Sequence, residues 1–172
     1  ERVAYNASVN GIGEIRTELE VRMKRCGTAA AFLFMMPGPK MMWEFGEMGY
    51  DISIQSKEGT DELSSSYEGE TKPPHWEFLE VPERKNLFET YCKLLNFREQ
   101  YAHVISDGEF VGNVDETDWP IRRIEITHPD LHFVLVGNFG IATNICIPNL
   151  NNGEDWYDFM TGKSETGGPF SL

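Results

Sequence analysis

The sequence predicts an α/β segment followed by an all-β segment of β-sandwich type, with the change near residue 102. Three observations carry this. Ile15, Leu19, Met23, Cys26 and Ala30 recur at steps of four and three, the spacing of one helix face. "KMMWEF" (40–45) is a continuous apolar run behind a Pro-Gly-Pro, as in a strand covered on both faces. "IRRIEITHPDLHFVLVGNF" (121–139) alternates in its first limb, is nearly continuously apolar in its second, and has Pro and Asp between them.

The first helix is expected from Glu14 to Phe32, stopped by Pro37, which cannot donate a backbone bond and restricts the residue before it. The strand over Met41–Phe45 ends at Gly46. "SKEGTDELSSSYEGETKPP" (56–74) is rich in Ser, Gly and acids, which predicts a long surface loop. A second helix spans 82–101, with Pro82 suited to its first turn. Its inward stripe is Leu87, Tyr91, Leu94 or Leu95, and Arg98, extended by Phe97 and Tyr101. Beyond it, "HPD" (128–130) turns a β-hairpin, and "IATNICI" (141–147) and "WYDFM" (156–160) supply further strands. The domains are thus residues 1–102 and 103–172.

Helix, one doubly covered strand and helix form a piece of a parallel sheet, and a parallel strand needs neighbours on both edges. The Met41–Phe45 strand is therefore expected to self-associate through its edges, or to belong to a larger protein.

Composition limits the partners. The 172 residues carry 28 acids against 15 bases, a net charge of −13, which opposes binding to nucleic acid or an anionic membrane. A neutral sugar needs no positive field. The longest apolar run ends at Pro37, too short for a membrane span. Cys26, Cys92 and Cys146 lack metal-ligand spacing and read as small buried hydrophobes, so no metal centre is expected. His128 and His132 bracket the hairpin turn, could face each other, and are read as structural. "NVDETD" (113–118) and "NLNNGED" (149–155) are read as solvated acidic loops, the latter failing the EF-hand pattern. Asn6-Ala7-Ser8 is a chance match to a glycosylation sequon, and Gly11-Ile12-Gly13 is no nucleotide fingerprint.

Four stretches together carry a resemblance: "PGPKMMWEFGEMGYD" (37–51), "KPPHW" (72–76), "LFETYCKLLNFREQY" (87–101), and "HFVLVGNF" with "WYDFMTG" (132–139 and 156–162). In this order they resemble the eighth strand, the stretch after it, the last barrel helix and the C-terminal β-domain of the α-amylase family of glycoside hydrolases (family 13). The resemblance implies the C-terminal part of a (β/α)8 TIM barrel, comprising helix, strand 8 and helix, followed by an antiparallel β-sandwich. It implies a parent glycosidase that cleaves α-1,4-glucans such as starch, glycogen and maltooligosaccharides with retention. A related branching or trehalose-forming transferase is equally in keeping with it.

Glu1-Arg2 resemble the residues just after the His-Asp motif of the last catalytic carboxylate, so the chain is expected to begin past that motif. Glycoside hydrolysis needs two carboxylates about 5 Å apart for retention, or up to about 9.5 Å for inversion, drawn from different strand ends. Only Glu44, Glu47 and Asp51 cluster here, on one strand end, so the chain alone is expected to be inactive, with no catalytic residue. By resemblance Glu47, Tyr50 and Asp51 face the sugar cleft, with Tyr50 as a stacking platform, while Trp43 and Phe45 pack in the barrel. No cofactor is expected in this chain; calcium belongs to the complete parent. The residues leave the compartment open, and the resemblance favours a secreted or cell-envelope setting. The alternative is a non-catalytic glucan-binding module presenting Trp119 and Trp156 as platforms.

Overall fold

The structure, a computed structural model, describes residues 18–57, 62–112, 120–140, 145–146, 155–166 and 170–171. Glu1-Arg2, Asn6–Ser8, Gly11–Gly13, Ile15, the 113–118 loop, Trp119, residues 141–144 and 147, and all but the last residue of the 149–155 loop lie outside them. Helices come first and antiparallel strands come after. The chain divides into two compact units: residues 1–34 with 38–100, and residues 35–37 with 101–172. Among the described residues, no helix is long and apolar enough to cross a membrane.

In the first unit, α1 (Leu19–Met35) and α2 (Pro82–Gln100) are the helices the periodicity predicts. α1 runs three residues past Phe32 and stops before Pro37, where the missing donor ends it. Its Met23, Ala30 and Phe34 are buried, as are Leu87 and Leu94 of α2. Leu94, not Leu95, is therefore the inward residue; Leu95 is exposed. Cys26 is half-buried, and Cys92 is exposed rather than buried because it lies off the inward stripe of α2. The helices meet closely at Gly27, where a β-carbon would stand 3.5 Å from Thr90 Cγ2 and 3.7 Å from Leu87 Cδ1. Phe34 and Tyr91 pack edge to face, with ring centroids 5.3 Å apart. Arg98 lies on the inward stripe for a polar reason. Its guanidinium donates to the Phe34 carbonyl in the last turn of α1 and, at 2.8 Å, to Gly38 O. The last carbonyls of a helix have no internal partner, so a cation there satisfies them.

The expected strand over Met41–Phe45 is not formed. Residues 41–43 are irregular, and a chain of turns leads into a 3₁₀ turn at Gly46–Met48. Gly46 N donates to Trp43 O at 2.9 Å, and Phe45 O accepts from Met48 N at 3.0 Å and Tyr50 N at 3.1 Å. Phe45 is left-handed (φ 56°), and so is Gly49 (φ 67°). A lone strand cannot satisfy its backbone without neighbours, and local turns do so instead. The strand edge expected to self-associate is thus absent. The 56–74 loop is irregular where described, apart from a 3₁₀ turn at Ser65–Tyr67 and a bridge between Ser56 and Leu63. A further 3₁₀ turn, Trp76–Glu80, leads into α2.

The second unit opens with α3 (Ala102–Asp107), which the sequence did not announce because six residues are too few to show a period. Then β1 (Glu109–Gly112), β2 (Ile121–His128) and β3 (Leu131–Asn138) form an antiparallel sheet in that order. The predicted hairpin is β2–β3, in register from Ile121↔Asn138 to His128↔Leu131 around Pro129-Asp130. Its core is Val104 and Ile105 of α3 with Ile124 and Ile126 of β2, all at most 4% exposed. The region expected to be a sandwich also holds two small antiparallel pairs: β4 (Ile145–Cys146) with β7 (Phe170–Ser171), and β5 (Asp155–Asp158) with β6 (Lys163–Thr166).

One ionic group in this sheet sets an acid response. Glu125 is partly buried, which alone would raise its carboxyl pKa. The hydrogen bond from His132 Nε2 (2.8 Å) and the attraction of Arg123 (Nη2 at 2.6 Å) outweigh burial and hold it below the ordinary 4.5. A carboxyl lowered by folding stabilises above its unfolded value, and that contribution is lost as pH falls through the folded one. Stability is therefore expected to drop below about pH 4.5, by about 1 kcal/mol or less for this half-hydrated cluster. Urea unfolding of Glu125→Gln across that range checks it: the variant's stability should fall less steeply with acid than the parent's.

Candidate functional site

The turns at 43–50 fold an aromatic cluster together. Phe45, 6% exposed, stacks on Tyr50 with centroids 6.0 Å apart and meets the edge of Trp76 at 4.9 Å. His75 stacks on Phe78 at 4.8 Å. The Tyr50 hydroxyl donates to Pro73 O at 3.1 Å, and Lys72 Nζ donates to Ser56 O at 2.7 Å and Tyr67 O at 3.0 Å. These bonds hold the 43–56 and 67–73 segments against each other.

Between those segments lies a cleft of about 220 Å³, lined by Trp43, Phe45 and Tyr50 and by the acids Glu44, Glu68 and Glu70, with Lys72 beside them. Trp43 is 63% exposed, so its indole is presented to solvent rather than packed as the resemblance implies, while Phe45 does pack. Flat aromatic rings and carboxylates line one cleft together. Flat aromatic faces take the C–H face of a pyranose, and carboxylates accept its hydroxyl protons.

The residues predicted to face a cleft part company. Tyr50 lines it. Glu47 is half-buried elsewhere; its Oε2 is enclosed without a hydrogen-bond partner, and its charge, after burial and Cys26, helps push the Tyr91 phenol up. Asp51 accepts from Arg84 Nη2 at 2.9 Å. Arg84 also donates to Met48 O at 3.0 Å and to Gly49 O, and its guanidinium lies 3.9 Å from the centre of the Phe78 ring. Buried at 7% exposure, it ties the 46–51 turn to α2. The missed signal for Arg84 in the sequence is its place three residues before Leu87, on the spacing of the inward stripe. Trp76, Glu68, Glu70 and Lys72 also went unread as site residues, because the loop that brings them to Tyr50 carries no periodicity.

The two hairpin histidines do not face each other. Thr127, not His128, pairs with His132, so the two rings sit on different faces of the ribbon. His132 turns to Glu125 and lies edge-on to Trp156 at 5.2 Å, while His128 turns to His103 at 5.4 Å. Trp156, half-buried with its Nε1 enclosed, is not an open platform. No protein-family model and no curated protein matches this chain.

Proposed function

We propose that the chain is the C-terminal part of an α-amylase-type glycoside hydrolase acting on α-1,4-glucans, with residues 1–102 completing a (β/α)8 barrel and 103–172 forming a β-sandwich domain. The cleft carries this reading: Tyr50, which the resemblance puts on the sugar side of the barrel, lines it together with Trp43, Glu44, Glu68 and Glu70. The absence of a strand at 41–45 is in keeping with it. A barrel strand is stable only between neighbouring strands, and those would come from the rest of such an enzyme. Catalytic carboxylates would come from there as well, so the chain alone binds sugar without cleaving it.

Maltoheptaose titration followed by tryptophan fluorescence, with a reducing-end assay on starch, tests the reading. Saturable quenching without turnover is expected, and Trp43→Ala should weaken binding by roughly tenfold, the loss of one stacking face of about 1–1.5 kcal/mol. Release of reducing ends by the purified chain, or binding indifferent to Trp43→Ala, would count against it.

A further inference from the structure

At the turn end of the β2–β3 hairpin, two imidazoles and a carboxylate converge. His103 Nε2, on α3, lies 3.1 Å from Asp130 Oδ2, and His128 Nδ1, at the end of β2, lies 3.7 Å from the same oxygen. The three donor atoms all fall within 4.8 Å of one another. Donors about 2.0–2.2 Å from a tetrahedral zinc ion stand roughly 3.3–3.6 Å apart, between the two distances above. His128 Nδ1 accepts the Asp130 backbone N–H at 3.1 Å, so this nitrogen presents its lone pair to the turn. That lone pair and the Asp130 carboxylate lie side by side, an arrangement a cation improves.

We propose that His103, His128 and Asp130 form a binding site for a borderline divalent transition metal, zinc above calcium or magnesium. Two imidazole nitrogens and one carboxylate select against the hard, oxygen-seeking ions. His103 shifts its proton from Nε2 to Nδ1 to offer a lone pair, and the metal takes the place of the Asp130 amide at His128 Nδ1. Three protein donors leave a fourth position for water. His103 and Asp130 are half or more exposed, at 51% and 64%, so the ion has direct access from solvent. Bound there, it cross-links α3 to the hairpin turn, two elements that meet at this point through the His103–Asp130 contact and the His103–His128 ring pair. The sequence alone could not pair them: His103 lies 25 residues before His128.

Calorimetric titration of the 172-residue chain with zinc chloride tests the site, with cobalt(II) absorption reporting the donor types. One site is expected, accompanied by a rise in melting temperature. His103→Ala and Asp130→Asn should each weaken it by at least about tenfold, since loss of even an outer-shell partner costs 10–100-fold. His132→Ala should leave it unchanged. The cobalt adduct should lack the thiolate charge-transfer band that Cys26, Cys92 or Cys146 would give. Absence of zinc binding, unchanged affinity in His103→Ala, equal loss in His132→Ala, or a thiolate band would each overturn the proposal. His103 is on the exposed face of α3, so its substitution keeps the fold, which circular dichroism verifies.

Discussion

Arg84→Ala is expected to destabilise the chain by about 3 kcal/mol. The side chain is 7% exposed, yet every contact named for it is polar or π-directed. Truncation strips two carbonyls, Met48 O and Gly49 O, of their donor in a turn that already holds two left-handed residues. Each enclosed acceptor left without a partner costs about 1–3 kcal/mol. The Phe78 ring loses a cation stacked at 3.9 Å, about 0.5–1 kcal/mol. Water entering beside the partly exposed Gly49 returns some of this, which holds the total near the lower end.

The carboxylate partner contributes less. Asp51 is 40% exposed, so Asp51→Asn should cost about 1 kcal/mol or less. Arg84→Lys should not rescue the fold, because an ammonium cannot reach several acceptors as a planar fork while lying over a ring. Urea unfolding followed by tryptophan emission ranks these variants, since Trp43 lies just before the turn that Arg84 anchors and Trp76 packs on Phe45 beside it. An Arg84→Ala midpoint equal to that of Asp51→Asn would show that the turn carbonyls do not depend on the guanidinium. On the sugar binding proposed for the cleft, the same variant should also lower maltoheptaose affinity, as Tyr50 is held by the turn that Arg84 braces.

What could be read from the residues divides along physical lines. α1 and α2 were legible because burial repeats every three to four residues, and even Arg98 declared itself by falling on the inward stripe. The choice between Leu94 and Leu95 was open because steps of three and of four from Tyr91 reach one each, and both are leucine. The β2–β3 hairpin was legible because alternation and Pro129-Asp130 agree on one register. The 41–45 segment was misread because a continuous apolar run suits a doubly covered strand and an aromatic turn cluster alike. Which one forms depends on neighbouring strands, a non-local condition. The cleft shows the same limit. Tyr50 was found through a local motif, whereas Glu68, Glu70 and Lys72 approach it through contacts between distant residues, among them the hydrogen bond from Tyr50 to Pro73, 23 residues away. Arg84 stands three residues before Leu87, on the stripe's own spacing, but a charge in a helix's first turn is more often solvated than buried.

Gly108→Ala is expected to cost about 3 kcal/mol in the second unit, and here the requirement is space rather than backbone conformation. Gly108 has φ −69° and ψ 156°, which any residue adopts. Its β-carbon, however, would stand 2.5 Å from Val104 O, 2.6 Å from Ile126 Cγ2 and 3.2 Å from Thr127 O. Two of those atoms are backbone, one in α3 and one in β2, and Ile126 is fully buried with no room to turn aside. The corner cannot open locally either. Gly108 N donates to Val104 O at 3.0 Å, and the next residue, Glu109, is already paired with Thr127. Relief must therefore come from moving α3 off the sheet, which strains the Val104–Ile105–Ile126 packing by about 1–3 kcal/mol and weakens the capping bond by about 1 kcal/mol. Gly69→Ala is the matched control: nothing lies within 4 Å of its β-carbon, so it should change stability by no more than about 0.5 kcal/mol. Thermal melts of the two variants, with amide exchange read at Ile126, decide the matter. If Gly108→Ala melts with the control and Ile126 keeps its protection, α3 does not depend on so close an approach to β2.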